Sequence, residues 1–169
     1  YHMNKNHWLT MLLDGSVEKD TVLFLLNASF DLTTTRQVKK QLGIVRYTEW
    51  IVPANPKYYD VEKDLREGGE IYWKQSNNIA VDDIVYMYVT EPTGAIRYKC
   101  LVLEVSIPYH QKRTDDLQVK RVMKIRCLKE YDKSLIPRAK MGQFGVTAVR
   151  GPRHMPYALK QEIALLSGE

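Results

Sequence analysis

The chain has 169 residues, of which 44% are hydrophobic and 27% are charged. A chain of this length and composition can bury the core of one domain and carry a small additional segment. Its longest uncharged apolar run, residues 21–28, is too short to cross a bilayer, and no signal peptide is visible. We therefore expect a cytoplasmic protein, and we interpret residues 1–3 as a cloning scar.

The net charge of +5 is distributed unevenly along the chain. Residues 1–96 contain 10 basic and 13 acidic residues, whereas residues 97–153 contain 14 basic and 5 acidic residues. The second segment, with its net charge of +9, has the electrostatic pattern of a protein that binds a polyanion. A surface whose charges serve only solubility has the same composition, so charge alone leaves both interpretations open.

Short helices are the first elements that the sequence predicts. Residues 6–15 end in Asp14-Gly15, a pair that commonly stops a helix. Ser16 precedes an apolar stretch with helical spacing over 22–30. A third helix is predicted over 35–42, ended by Gly43. We expect residues 4–46 to form a small helical appendage.

From residue 48 onward the pattern is typical of short strands. A strand is predicted over 49–52, followed by a helix over 57–67 that Pro56 opens. Residues 84–89 are β-branched and aromatic throughout, which favours a strand. A longer strand is predicted over 95–107, with Ile96, Tyr98, Cys100 and Val102 on one face.

The last elements complete a mixed fold. A strand over 119–128 would bury Met123, Ile125 and Cys127 on one face. Residues 142–151 predict a turn with a short strand, and residues 156–166 predict a closing helix. Five or so short strands with intervening helices predict an α+β fold, built on a small, partly closed, mixed β-barrel over 47–169.

Cysteine, histidine and carboxylate spacing gives no sign of a catalytic or metal centre. Cys100 and Cys127 lie in alternating apolar segments, so we expect buried, reduced thiols, although a disulfide between neighbouring strands is an alternative. The histidines lack metal-ligand spacing. The pairs Asp82-Asp83 and Asp115-Asp116 are interpreted as turn formers. We expect a binding module without metal or cofactor rather than an enzyme.

Aromatic and polar side chains concentrate in three segments, 50–59, 72–78 and 149–153. Planar side chains of this kind grip flat aromatic ligands, and a nucleobase is the obvious candidate. Trp50 and Tyr88 fit a packed core as well as a pocket, whereas the polar neighbours of Trp73 favour a pocket wall. The candidate pocket residues are Trp50, Asn55, Tyr58, Trp73, Gln75, Ser76, Asn77 and Tyr88.

Basic residues form the second candidate set, as contacts to phosphate groups. Such contacts add salt-dependent affinity without sequence information. Each one separately also fits a solvated surface cation, and Arg150 and Arg153 also fit a role in capping backbone carbonyls. The candidates are Lys74, Lys99, Lys112, Arg113, Lys120, Arg121, Lys124, Arg126, Arg150 and Arg153.

The order of these motifs resembles the EVE domain, a branch of the PUA-like superfamily. The resemblance spans residues 47–166. It rests on the strand of Trp50, on Asn55-Pro-Lys-Tyr-Tyr59, on Trp73-Lys-Gln-Ser-Asn-Asn78, on Val81-Asp-Asp-Ile-Val-Tyr-Met-Tyr88, on Leu103-Glu-Val105 and on Arg150-Gly-Pro-Arg153. The chain departs from that pattern at Asp82, where the family usually has glycine, in residues 1–46, and in the basic stretch over 108–140.

The resemblance implies a PUA-like pseudobarrel of five to six strands with flanking helices and an aromatic-lined pocket. EVE-like domains are associated with reading modified bases, including methylated or hydroxymethylated cytosine in DNA, and some accompany modification-dependent nucleases. The resemblance therefore implies that this chain flips a modified base into the pocket beside a nuclease partner. RNA binding, as in PUA domains proper, and binding of a small molecule or nucleotide are the alternatives.

Overall fold

The chain divides into two units, Tyr1–Ile44 and Val45–Glu169. The computed structural model describes residues 9–35, 38–39, 42–43, 47–76, 78–109, 119 and 121–169. No helix in these ranges is long and apolar enough to span a membrane.

The described part of the first unit contains one long helix, α1 (Lys19–Thr33). No residue of α1 is buried, and Leu23, Phe24 and Leu26 are exposed. The helix expected over 6–15 is wrong for its described part, since residues 9–17 are not helical. A short segment without tertiary packing gains too little to hold a helix. The predicted helix over 35–42 includes residues outside the described ranges.

The second unit is built on strands, with short helices between them. Its elements are β1 (Glu49–Ala54), α2 (Val61–Asp64), β2 (Glu70–Lys74), β3 (Ile84–Val89), β4 (Ala95–Pro108), β5 (Arg121–Glu130), α3 (Arg138–Gln143), β6 (Arg153–His154) and α4 (Tyr157–Ser167).

The strands form one six-stranded sheet in the order β2-β5-β4-β3-β1-β6. β1 and β3 are parallel, and the other neighbours are antiparallel. Val52 of β1 and Ile71 of β2 come from strands far apart in this order, yet both belong to the same buried cluster. The sheet is therefore curled into a pseudobarrel, and the predicted α+β class is confirmed.

Alternation along the strands separates two buried clusters. Val85 and Met87 point into the inner cluster, whereas Tyr86 packs in the outer one with Leu159 and Ile163 of α4. Met123, Ile125 and Cys127 are buried inside, as predicted. Cys100 and Cys127 face each other across β4 and β5 as buried, free thiols.

A change of register on β4 corrects one prediction about its faces. Tyr98 belongs to the inner cluster, but Ile96 belongs to the outer one. On β3 the consecutive residues Met87 and Tyr88 pair with Tyr98 and Ile96, so Arg97 is an extra residue in the ladder. A bulge of this kind moves the residues beyond it to the opposite face.

The region between β1 and β2 also differs from the prediction. The helix expected over 57–67 is reduced to the single turn α2. Before it, the backbone N–H groups of Tyr58 and Tyr59 both donate to the Asn55 carbonyl in a turn. β2 was not predicted, since its central residues Ile71, Tyr72 and Trp73 form too short an apolar run. α3 was likewise missed.

Candidate functional site

A cavity of about 340 Å³ borders β2, an edge strand of the described sheet. Its lining brings together the three aromatic and polar segments that the sequence singled out. Further lining residues come from the end of β4 and the start of β5. The described lining residues are Val52, Pro53, Asn55, Tyr58, Tyr59, Tyr72, Trp73, Lys74, Ser76, Tyr109, Val119, Val122, Arg150, Gly151 and Pro152.

The inner wall of the cavity is aromatic. Trp73 and Tyr59 meet edge to face, with ring centroids 5.7 Å apart and an angle of 73° between the rings. Both rings are partly buried and pack against the inner cluster. This packing fixes their orientation, so the wall is preformed for a flat ligand.

Asn55 and Ser76 provide polar atoms at the same cavity. The Asn55 Oδ1 accepts a hydrogen bond of 2.9 Å from the Lys57 backbone N–H, which orients the amide. The Asn55 Nδ2 and the Ser76 hydroxyl form no hydrogen bond with the part of the chain that the structure describes. Both groups can therefore bond to the edge of a ligand.

The charged side chains among the described lining residues are both cations, Lys74 and Arg150. Both are exposed, and neither forms an ion pair with a described carboxylate. An aromatic cavity with cations at its border suits a ligand that joins a flat ring to a negative charge.

Trp50 and Tyr88 are corrections to the predicted pocket, because neither lines the cavity. Trp50 is 5% exposed, donates from Nε1 to Asp83 Oδ2 at 2.9 Å, and stacks on His154. Tyr88 belongs to the outer cluster, and burial raises the pKa of its phenol. Both strands have neighbours on either side, so these rings are enclosed.

Gln75 is also absent from the described lining. Its Nε2 donates to the Ile79 carbonyl at 3.3 Å, and its Oε1 accepts from the Ser106 backbone N–H at 2.6 Å. The amide therefore joins the segment after β2 to β4 and has a structural role. Asn77 lies outside the described residues.

Several predicted phosphate contacts are paired with carboxylates. Glu70 bridges Lys124 and Arg126, each at 2.6 Å. Hydrogen bonds from Lys124 and then Arg126 lower the pKa of Glu70, and its carboxylate in turn raises the pKa of Lys124. Lys99 pairs with Glu169. These cations are partly neutralised before any ligand arrives.

The remaining predicted cations fall into two groups. Arg121 is exposed and has no ion pair within the described ranges, and Arg153 donates to the Ala148 carbonyl at 3.5 Å. Lys112, Arg113 and Lys120 lie outside the described residues.

Sequence reasoning did not assign Tyr59, Tyr72 or Tyr109 to the pocket, although all three line the cavity. Tyr59 packs against the inner cluster and also lines the cavity. The signal that would have found Tyr72 is its place beside Trp73, once residues 70–74 are recognised as an edge strand.

Comparison with known proteins finds similar folds among solved structures, at low sequence identity. No protein-family model and no curated protein matches this chain. The chain is similar in structure to an ASCH protein from Zymomonas mobilis, with a TM-score of 0.50 and 7% identity over 70% of this chain and 95% of that protein. It is also similar to protein PSPTO5229 from Pseudomonas syringae, with a TM-score of 0.51 and 13% identity over 70% of this chain and 99% of that protein.

At this level of identity the likeness concerns the fold alone. It supports the predicted α+β fold with a curled, mixed sheet, whereas the narrower EVE assignment stays a prediction.

Proposed function

We propose that this chain binds DNA and recognises a modified base, methylated or hydroxymethylated cytosine in the first instance, by holding it flipped in the cavity at β2. The chain acts as a binding module, and a nuclease is the partner that would use such recognition. The phosphates flanking the base lie against cations at the cavity border.

The preformed aromatic wall carries this proposal. A flipped base needs a planar surface to stack on and hydrogen bonds to its edge. Trp73 with Tyr59 provides the surface, and Asn55 and Ser76 provide polar groups at the same cavity. A volume of about 340 Å³ is near the lower limit of small-ligand sites, which suits one nucleotide.

The position of the cations supports a nucleic-acid ligand over an uncharged one. Lys74 and Arg150 border the cavity on segments far apart in the sequence. A nucleotide flipped out of a duplex keeps a phosphate on each side of its sugar. Lys74 and Arg150 can each contact one of these phosphates.

The EVE resemblance narrows the choice of base. At Asp82, where that family usually has glycine, the backbone φ is +67°, a conformation that favours glycine and tolerates aspartate. The substitution therefore keeps the turn that the family pattern requires. Asp82 is therefore compatible with the family pattern, and the choice of modified cytosine rests on the resemblance itself.

Fluorescence anisotropy with one duplex sequence carrying cytosine, 5-methylcytosine or 5-hydroxymethylcytosine, at two salt concentrations, tests the proposal. We expect tighter binding to a modified duplex, and we expect the preference to persist at the higher salt concentration. Equal and strongly salt-dependent binding to all three would contradict base recognition and leave only a basic surface. Tighter binding to RNA of the same sequence would favour the RNA alternative.

A further inference from the structure

We propose a second nucleotide subsite on the outer face of β2, where Tyr72 stacks on the base next to the one held in the cavity. This inference rests on the proposed function and extends it from one base to a short single-stranded segment. The site would therefore read a splayed pair of nucleotides rather than an isolated base.

The first argument is the place of Tyr72 on an edge strand. Tyr72 and Trp73 are consecutive in β2, so their side chains lie on opposite faces of the sheet. Both nevertheless border the cavity, and among the described strands β2 has no neighbour on its outer side. A chain of nucleotides that crosses this free edge can place one base against each ring.

The second argument is exposure. The Tyr72 side chain is 60% exposed, whereas the strand tyrosines Tyr86, Tyr88 and Tyr98 are all 6% exposed or less. Tyr72 forms no hydrogen bond or ring contact with described residues. Its ring face is therefore accessible from solvent at the border of the cavity.

The third argument is the charge around this ring. Tyr72 lies directly opposite Lys124 on β5, and Lys74 follows two positions along the same face of β2. Arg126 is held next to Lys124 by Glu70. Lysine and arginine have more donors than one carboxylate uses, so both can still contact phosphate. A sheet face with an exposed aromatic ring flanked by cations is a surface on which single-stranded nucleic acids stack.

A pair of trinucleotides isolates the stacking contribution. The first is thymidine–5-methyldeoxycytidine–thymidine, and the second replaces both thymidines by abasic residues, so that the phosphates stay and the flanking bases are removed. Titration calorimetry of the whole chain with each probe gives their dissociation constants. We expect the parent protein to bind the first probe about tenfold more tightly, from the stacking of one base.

Substitution of Tyr72 tests whether this residue causes the difference between the two dissociation constants. Tyr72→Ala should make the two dissociation constants equal, and Tyr72→Phe should keep them apart, because the ring and not the hydroxyl stacks. Tyr47→Ala, which removes a 41% exposed tyrosine that does not line the cavity, should behave like the parent protein. Urea unfolding of each variant confirms that the fold is intact.

The outcomes separate the two proposals. Equal binding of the two probes by the parent protein overturns the second subsite but leaves base recognition in the cavity standing. A difference that survives in Tyr72→Ala also overturns it. Binding of neither probe overturns the second subsite, and failure to bind the modified duplex as well overturns the proposed function.

Discussion

Two tryptophans on the inner face of the sheet show how differently its two sides are built. Trp50 lies on β1 between β3 and β6, donates to the buried carboxylate of Asp83, and is 5% exposed. Trp73 lies on the edge strand β2 and borders a cavity of about 340 Å³. Around Trp50, the indole N–H has a hydrogen-bond partner within the protein. Around Trp73, aromatic rings and cations border a cavity.

Position in the strand order explains the contrast. A strand with neighbours on both sides encloses its inward side chains, and a polar atom there needs a partner within the protein. An edge strand leaves one side uncovered, so an aromatic ring on it can serve a ligand. Residue type alone therefore does not distinguish a binding tryptophan from a structural one.

The largest expected effect comes from removing the carboxylate that holds the region around Trp50 together. Asp83 is fully buried and accepts hydrogen bonds from Trp50 Nε1 and from the backbone N–H groups of Thr48 and Ala80, at 2.8–2.9 Å. Asp83→Ala leaves the buried Trp50 Nε1 and the half-buried N–H groups of Thr48 and Ala80 without this partner. We expect the free energy of unfolding to fall by about 3 kcal/mol or more, measured by urea denaturation.

Asp82→Gly is the matched control, because it changes the neighbouring carboxylate at a φ of +67°. We expect a change in unfolding free energy of about 1 kcal/mol or less. A loss for Asp83→Ala no larger than that of the control would contradict the structural role of Asp83.

The next prediction compares substitutions of the two tryptophans: one should lower binding affinity and the other should lower stability. Trp73→Ala should weaken binding of a modified duplex by about 1–3 kcal/mol, since a stacked base loses its platform. Trp50→Phe keeps a ring in the core but removes the donor to Asp83, so it should lower stability by about 1–2 kcal/mol and leave binding unchanged. Anisotropy and urea unfolding on both variants measure the two losses, and equal binding by Trp73→Ala and the parent protein would exclude Trp73 from the site.

The sequence predicted the central strands well and the edge poorly, for a physical reason. Residues 84–89 are buried on both faces, so their continuous apolar pattern is strong. In β2 the apolar residues Ile71 and Trp73 alternate with exposed residues over only five positions, which is a weak signal for a strand. The three ligand-facing segments were recognised from composition, but which of their rings face the cavity depends on the sheet order, which local patterns do not encode.

The sequence also does not show which basic residues are paired with carboxylates. The excess of basic residues over 97–153 is visible in the sequence, but their carboxylate partners come from distant segments. Glu70 of β2 reaches Lys124 and Arg126, and Glu169 reaches Lys99. These pairings depend on strand register and helix packing, so the sequence overestimated the number of available cations.

A smaller effect is expected on the salt dependence of DNA binding, where cations at the cavity are compared with a cation that is paired with a carboxylate. Lys74→Ala and Arg150→Ala should each reduce the slope of log K against log salt by about 0.9, the value for one phosphate contact on duplex DNA. Lys99→Ala should change the slope less, because Glu169 already occupies its ammonium group. Anisotropy titrations at several salt concentrations measure the slopes, and equal slopes for all three variants would show that the cavity cations have no special role.

The smallest effect has the opposite sign and tests the outer face of β2. Glu70→Gln removes the carboxylate that bridges Lys124 and Arg126, so both cations lose a competing anion and a charge that repels phosphate disappears. We expect tighter DNA binding and a steeper salt dependence, because one added phosphate contact is worth about threefold between 50 and 200 mM salt. Glu162→Gln, which frees Lys140 on α3 instead, is the matched control and should leave binding unchanged.

The pKa of Glu70 fixes the pH range in which this last comparison holds. Its pKa lies below the ordinary value of 4.5, because Lys124 and Arg126 hydrogen-bond to the charged form. The carboxylate is therefore ionised throughout pH 5–8, and the gain from Glu70→Gln should be constant across that range. The contribution of Glu70 to stability is present above the unfolded-state pKa and is lost only as the pH falls through the lowered folded-state value. A gain in affinity that vanished toward pH 5 would instead mean that another titrating group controls this face.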